Sequence, residues 1–370
     1  MRGKAKSQPE FLTLLSPESV VPPNHPLREI KRRVDEVLRT LNPLFERMYA
    51  QEGRSSIPPE RLLKAKLLIA LYSVRSETLF CEQLGYNLLF RWFLDMDLTE
   101  ETFVQSVFSK NQERLLRHEA GQRFFRAVYA MSRAEQWASD EHFTVDGTLI
   151  ESVASLKSLV PKEGAAPPTD DDPGNPSVDF HGQKRGNATH ESRTDPEARL
   201  YRKGRGKEAK LYFAAHALME NRQGLLADVT VTSATEVTET TTALEQLRRH
   251  RQRTGVRPAT VGADKNYHNA EFVGGCRRRR TAPHVAEVRG REVAGLDGRT
   301  TGRAGYAVSQ RKRKRVEEIF GWMKSVGGLR RSRYVGIART QLWAYFVGAA
   351  YNLVRLVRLA LGPPTVAAPG

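Results

Sequence analysis

Apolar positions recur at helical spacing through the first third of the chain. In residues 27–50 they fall near i, i+3 and i+4 positions, which is the pattern of an amphipathic helix. Residues 77–94 and 101–137 have the composition of further helices, and no strand pattern appears among them. The pattern therefore predicts an all-α domain over residues 1–138.

After this domain, short β-branched runs alternate with helical segments. A strand is predicted at the start of 142–152, where a short β-branched run leads to Asp146 and Gly147. Further strands are predicted over 210–220, 224–234, 258–264 and 281–288. Helices are predicted over 238–255, 268–280, 308–327 and 341–360. A stretch rich in Pro, Gly and Asp at about 160–198 predicts a flexible loop, and residues 363–370 predict a disordered tail. This order indicates the α/β (α+β) class, with a mixed sheet flanked by helices over residues 139–362.

Charge adds the first hint of function. The chain has 59 Lys and Arg against 42 Asp and Glu, a formal net charge of +17. A strongly basic protein usually binds a polyanion such as nucleic acid, although an ordinary solvated basic surface is the alternative.

The two cysteines, Cys81 and Cys276, lie far apart, which disfavours disulfides and a structural zinc site. The N-terminus has no signal-peptide pattern, and the apolar run 342–353 is too short to span a membrane, so we expect a cytoplasmic protein.

Three acids stand out by their predicted positions. Asp146 ends the first predicted strand, Asp264 ends a later one, and Glu317 lies on a strongly basic helix. Carboxylates that converge from strand ends and a helix can hold Mg²⁺, which prefers oxygen ligands. Each acid could instead be a separate cap or surface charge, since Asp-Gly is a common turn.

The basic residues are concentrated around Glu317. Between residues 299 and 339 there are twelve Lys and Arg against two acids, which is +10 of the +17. Arg313 lies four residues before Glu317 and Lys324 seven after it, so the three share one helical face. This arrangement suits a metal-bound phosphate, while a solvated helix with internal salt bridges is the alternative.

Several motifs, in order along the chain, resemble one family. VDGTLIESVASLKS, TVGADKNYH and RKRVEEIFGWMKSVGGLRR resemble the first-Asp, second-Asp and Glu motifs of DDE transposases of bacterial insertion sequences, of the insertion-sequence-five type. The resemblance covers about residues 20–360. It implies an RNase H-like catalytic domain in which Asp146, Asp264 and Glu317 are the catalytic and metal-binding triad. Glu317 is preferred to Glu318 because it satisfies the R-x3-E-x6-K pattern of relatives. The tyrosine that opens that pattern is missing, because Gln310 stands at its position.

The resemblance also implies a mechanism and partners. Two Mg²⁺ ions, with Mn²⁺ as a possible substitute, would support DNA cleavage at transposon ends and strand transfer into target DNA. The likeliest contributors to phosphate binding are Arg311, Lys312, Arg313, Lys314, Arg315, Lys324, Arg330 and Arg331. We expect the N-terminal helices to read the terminal repeats and the protein to act on double-stranded DNA as a homo-oligomer. The alternatives are a metal-dependent nuclease and a non-catalytic DNA-binding protein derived from a transposase.

Overall fold

The computed structural model of this chain describes residues 17–49, 56–162, 179–180, 183–202, 204, 208–235 and 238–362. Part of the predicted loop (163–178 and 181–182) and the whole of the predicted tail (363–370) lie outside these residues. The described parts form a helical segment followed by a mixed sheet with helices on both faces.

Helices form the described chain up to residue 134. They are α1 (Pro17–Val20), α2 (Pro26–Thr40), α3 (Asn42–Met48), α4 (Pro59–Leu71), α5 (Glu77–Tyr86), α6 (Leu88–Phe93), α7 (Gln105–Arg117) and α8 (Ala120–Ala134). The three long helices predicted here are each divided in two. The break at Asn87 has a local cause, because its side chain accepts a hydrogen bond from Phe90 N at 3.1 Å and caps α6. At Glu119 the backbone is left-handed, with a φ of 53°. The helical spacing continues across both breaks, so the pattern does not reveal them.

One large sheet dominates the rest of the chain. The described strands are β1 (His142–Glu151), β2 (Leu159–Pro161), β3 (Asp179–Phe180), β4 (Gln183–Lys184), β5 (His190–Ser192), β6 (Arg199–Tyr201), β7 (Lys210–Glu220), β8 (Leu225–Ser233), β9 (Thr260–Ala263) and β10 (Ala282–Val285). The order across the sheet is β8, β7, β1, β9, β10, and β6 pairs with the first residues of β7. β1, β7 and β8 are antiparallel neighbours, whereas β9 and β10 run parallel to β1. This is the RNase H-like arrangement that the resemblance implied.

The position of Asp146 differs from the prediction. Asp146 does not end its strand, since β1 continues to Glu151 and stays paired with β7 over that whole length. The Asp-Gly pair is therefore extended and forms no turn. On its other edge, however, β1 pairs with β9 only as far as Thr144. Asp146 thus follows the end of the parallel pairing and not the end of the strand.

The loop predicted at about 160–198 is structured at its described ends. Leu159–Pro161 pairs with His190–Ser192, and Asp179–Phe180 pairs with Gln183–Lys184. The predicted strands at 210–220 and 224–234 form a hairpin, as expected. Strands of two or three residues are too short to show an alternating hydrophobic pattern, so composition alone suggested a loop.

Helices cover both faces of the sheet. They are α9 (Thr238–Thr254), α10 (Ala270–Arg278), α11 (Gly298–Thr301), α12 (Ala304–Lys312), α13 (Val316–Ser325) and α14 (Ile337–Leu361). α9 packs on one face, where Phe143 contacts His250. α13 and α14 pack on the other face, where Lys324 bonds to Thr148. The single helix predicted over 308–327 is divided by a 3₁₀ turn at Arg313–Arg315, and α12 begins earlier than predicted.

α14 joins the two segments of the chain. It is 25 residues long, longer than the apolar run noted in the sequence, and by length and composition it could cross a membrane. Most of it is nevertheless buried against the helices α2, α4 and α8 and the strand β8, as in the core helix of a soluble protein. Asn352 bonds to both backbone groups of Leu226 on β8, at 2.9 and 2.8 Å. One continuous hydrophobic core therefore extends from Val21 to Val357.

Candidate active site

Asp146 and Asp264 lie beside each other on adjacent parallel strands. Thr144 and Gly262 are the last paired residues of β1 and β9, and two further residues along each strand lead to Asp146 and Asp264. Burial raises the pKa of Asp146 to about 6, and the negative charge of Asp264 adds to the effect. The Gly147 N–H, which donates to Asp146 Oδ1 at 2.8 Å, and the nearby Arg313 act in the opposite direction.

Asp264 is held by the turn that follows β9. It caps a 3₁₀ turn at Lys265–Tyr267, and its Oδ1 accepts a hydrogen bond from Asn266 N at 2.9 Å. Its carboxylate is therefore fixed at the carboxyl end of a strand. This part of the sequence prediction, an acid at the end of a buried strand, is confirmed.

Glu317 lies on the face of α13 that runs along these strands. At one end, the Cβ of Arg313 is 3.4 Å from the point where a Cβ on Gly262 would lie. At the other end, Lys324 donates a hydrogen bond to Thr148 on β1. Glu317 lies between these two contacts along the helix, four residues after Arg313 and seven before Lys324.

Glu318 faces a different neighbour. Its charge acts on Tyr351 of α14, whose pKa is raised mainly by burial. Trp322, one turn later on the same side of α13, contacts the Tyr351 ring edge-to-face at 5.7 Å. The two glutamates are both exposed and border the buried strip of α13, which includes Ile319 and Met323, from its two edges. This geometry favours Glu317 over Glu318 as the acid that faces the strands.

The three predicted acids are not equally close. Within the described ranges, no three His, Cys, Asp or Glu side chains are already grouped tightly enough to hold a metal ion. Asp146 and Asp264 are together, while Glu317 is exposed on the helix above them. The donor set nevertheless fits a hard divalent cation, because two half-buried carboxylates side by side present oxygen ligands and Arg313 offsets part of their negative charge.

The eight basic residues predicted to bind DNA fall into two groups. Five are exposed, namely Arg311, Lys312, Lys314, Arg330 and Arg331, and the first four of these form one group. Four bond to the protein itself: Arg313, Arg315, Lys324 and Arg331. The first group is available to phosphates, and the second holds the surrounding elements in place.

The bonds of the second group show what it holds. Arg331 donates to the carbonyl oxygens of Ser152 and Val153, at 3.2 and 2.9 Å, and so fixes the chain that follows α13 to the end of β1. Arg313 donates to Gln310 at 2.8 Å, and Gln310 in turn bonds to the carbonyl of His284 on β10. Gln310, which replaces the tyrosine of relatives, thus links Arg313 to the sheet.

Two residues near the acids were missed by the sequence interpretation. Glu239, in the first turn of α9, has its Oε1 3.1 Å from the point where a Cβ on Gly147 would lie. Burial raises its pKa, and Asp264 adds to that shift. Tyr267 is buried, and its pKa is raised by burial and then by Glu239, Asp146 and Asp264. Tyr267 belongs to the TVGADKNYH motif and could have been considered, whereas no pattern in the sequence points to Glu239.

Comparisons with known proteins show the family of this chain. A family model described as "Transposase domain (DUF772)" matches residues 15–114, and one described as "Transposase DDE domain" matches residues 139–353. No curated protein matches the chain. Among solved structures, it is similar to the piggyBac transposase in a synaptic complex with hairpin DNA, with 9% identity and a TM-score of 0.40 over 92% of this chain and 77% of that one. The DDE model covers more than half of the sequence. The chain therefore belongs to the DDE transposase family.

Proposed function

We propose that this transposase binds the terminal inverted repeats of its insertion sequence and uses Asp146, Asp264 and Glu317 for metal-dependent cleavage and strand transfer. The observation that supports the assignment is the pair of aspartates that follow the last paired residues of two adjacent parallel strands, with α13 bonded to β1 through Lys324 on the side that carries Glu317. Membership in the insertion-sequence-five type is part of this proposal.

The metal would be held by the carboxylates. Asp146 and Asp264 are the nearest pair, and Glu317 would complete the set from the helix. Mg²⁺, with Mn²⁺ as a substitute, would activate the attacking hydroxyl and stabilise the leaving 3′-oxygen. The chain supplies rigid positions for the acids: Asp146 lies in the middle of a strand paired over its whole length, and Asp264 is fixed by its turn.

DNA would approach along the exposed cations. Arg311, Lys312 and Lys314 precede α13, and Arg330 follows it, so together they flank the level of Glu317. Neutralised phosphates supply sequence-independent affinity. We propose that the helices within residues 1–138 contribute recognition of the repeats and that two or more copies hold the two ends together, in a cytoplasmic protein associated with DNA.

The central experiment compares two neighbouring glutamates. Glu317 and Glu318 are both exposed, so either alanine substitution leaves the fold intact. With a duplex that carries the inverted repeat found beside the gene, and with Mg²⁺, we expect Glu317→Ala to slow cleavage by about 100-fold or more. Glu318→Ala should cleave close to the wild-type rate. An active Glu317→Ala together with an inactive Glu318→Ala would reverse the assignment.

The products of the same reaction separate the alternatives. A transposase yields nicked ends that become joined to a target duplex. A nuclease yields nicks that are never joined, and a non-catalytic DNA-binding protein shifts the duplex on a gel without cutting it. Joined strands that require all three acids support the proposal.

A further inference from the structure

We propose that Glu239 is a fourth carboxylate of the cation-binding site and that Tyr267 positions it. This inference rests on the proposed function of Asp146 and Asp264. It assigns a role to two side chains, one at the start of α9 and one in the turn after β9.

The first observation is the room that Gly147 provides. The Glu239 carboxylate reaches over β1 where residue 147 has no side chain, with its Oε1 3.1 Å and its Cδ 3.6 Å from the point where a Cβ would lie. Any other residue at 147 would crowd this carboxylate. A glycine in a strand interior often marks a close approach of this kind. Glu239 is thereby brought against β1 on the α9 face, one residue from Asp146, whose side chain points to the α13 face. The two carboxylates can meet at the edge of β1 that β9 leaves unpaired beyond Thr144.

The second observation is the concentration of like charge. Glu239 interacts electrostatically with Asp264, and both act on Asp146. Arg313 is the cation that offsets the charge of Asp146. Three half-buried carboxylates repel one another, and this repulsion is unfavourable unless a cation lies between them. A divalent ion would supply that compensation.

The third observation is the hydroxyl of Tyr267. Tyr267 is 1% exposed, and its hydroxyl oxygen has no hydrogen-bond partner among the described residues. Its largest electrostatic interaction is with Glu239, followed by Asp146 and Asp264. Buried hydroxyls are normally paired. When a bound cation draws the carboxylates together, this hydroxyl can donate a hydrogen bond to one of their oxygens. Hydrogen-bonding groups around a metal site commonly orient its ligands in this way.

His216 offers a structural alternative for Glu239. Its Nδ1 lies 3.5 Å from the same point beside Gly147 and also lacks a partner within the described chain. If Glu239 served only to hold His216, an amide in its place could do the same. Glu239→Gln therefore separates the two roles, because it keeps the hydrogen-bonding capacity and removes the charge.

The test measures Mn²⁺ binding to the full chain without DNA, by titration calorimetry and by the Mn²⁺-induced rise in melting temperature. We expect Glu239→Gln to weaken Mn²⁺ binding by about 10- to 100-fold and Tyr267→Phe by a smaller factor. The metal-free Glu239→Gln protein should melt at the wild-type temperature or above it, since a repulsive charge is gone. Glu46→Gln is the control, because Glu46 lies exposed on α3 in the helical segment and its variant should bind Mn²⁺ like the wild type.

Asp146→Asn distinguishes failure of this inference from failure of the proposed function. If Asp146→Asn abolishes Mn²⁺ binding while Glu239→Gln leaves it unchanged, the site exists and Glu239 is not part of it. If Asp146→Asn leaves Mn²⁺ binding unchanged, the proposed metal site itself is wrong. A Glu239→Gln protein that loses both thermal stability and Mn²⁺ binding would indicate a structural role. If Glu239→Asp binds Mn²⁺ with the wild-type affinity and Glu239→Gln does not, the result would support a carboxylate ligand at this position.

Discussion

A buried lysine connects the helical segment to the chain that leads away from α13. Lys66 on α4 has a side chain that is only 2% exposed, and it forms an ion pair with Glu77, whose side chain is 12% exposed. Tyr334 completes the group: Lys66 Nζ donates to its hydroxyl at 3.0 Å, and that hydroxyl donates to Glu77 at 2.9 Å. Burial alone would lower the pKa of Lys66, but Tyr334 and Glu77 outweigh it and the pKa is raised.

Replacing this lysine tests how strongly the group holds the two segments together. Lys66→Met keeps the apolar stem and leaves the Glu77 carboxylate buried with Tyr334 as its remaining partner. Removing one member of a buried ion pair costs about 3–5 kcal/mol. We expect the lower end of that range, since Glu77 keeps one hydrogen bond. The free energy of unfolding would be measured by urea denaturation, followed by circular dichroism.

The double variant checks the reasoning. In Lys66→Met with Glu77→Gln no charge is left unpaired, so the loss should be smaller than the sum of the two single losses by about 1–3 kcal/mol. Lys110→Met, at an exposed position on α7, is the control and should change stability by less than about 0.5 kcal/mol. Additive single losses, or a Lys66→Met loss as small as that of the control, would refute the idea that the pair acts as a unit.

Three further outcomes follow from the structure. Burial lowers the pKa of His250 to about 3, so between that value and 6.5 only the unfolded chain binds the proton, and stability falls as the pH is lowered. Relative to His250→Phe, the wild type should lose about 2 kcal/mol between pH 7 and pH 5 in urea titrations. Gly275→Val should lower the melting temperature, since the methyl groups of Leu244 lie 2.6 and 2.7 Å from any Cβ there, and overpacking costs about 1–3 kcal/mol. Arg330→Gln should weaken binding to any duplex and reduce the slope of log K against log salt by about 1, whereas an unchanged slope would exclude a phosphate contact.

The sheet was predictable because its strands carry strong local signals. The β-branched runs at β1, β8 and β9, and the turn between β7 and β8, placed the five longest described strands within a few residues, whereas the short strands β2 to β6 were not predicted. Helix ends were less predictable, since Leu41, Asn87 and Glu119 interrupt segments whose apolar spacing continues. Capping bonds and a single left-handed residue decide such breaks, and they leave the hydrophobic period unchanged.

Residues that come together only in the folded chain were harder to identify from the sequence. Glu239 and Tyr267 reach the aspartates only because Gly147 leaves space on β1 and because α9 and the turn after β9 converge there. That convergence depends on packing between segments that are distant in the sequence. No hydrophobic period or motif spacing in a single sequence predicts such packing.

The choice between Glu317 and Glu318 could be made from spacing, and the structure gives the physical reason. Successive helical residues point about 100° apart, so adjacent glutamates cannot face the same neighbour. Arg313 lies against Gly262 and Lys324 bonds to Thr148, and these two contacts fix which side of α13 faces the strands. A glutamate four residues after the first and seven before the second lies on that side, even though a 3₁₀ turn separates Arg313 from α13. The spacing therefore reflects where the helix contacts the sheet, which is the physical reason to expect Glu317 and not Glu318 to face the aspartates.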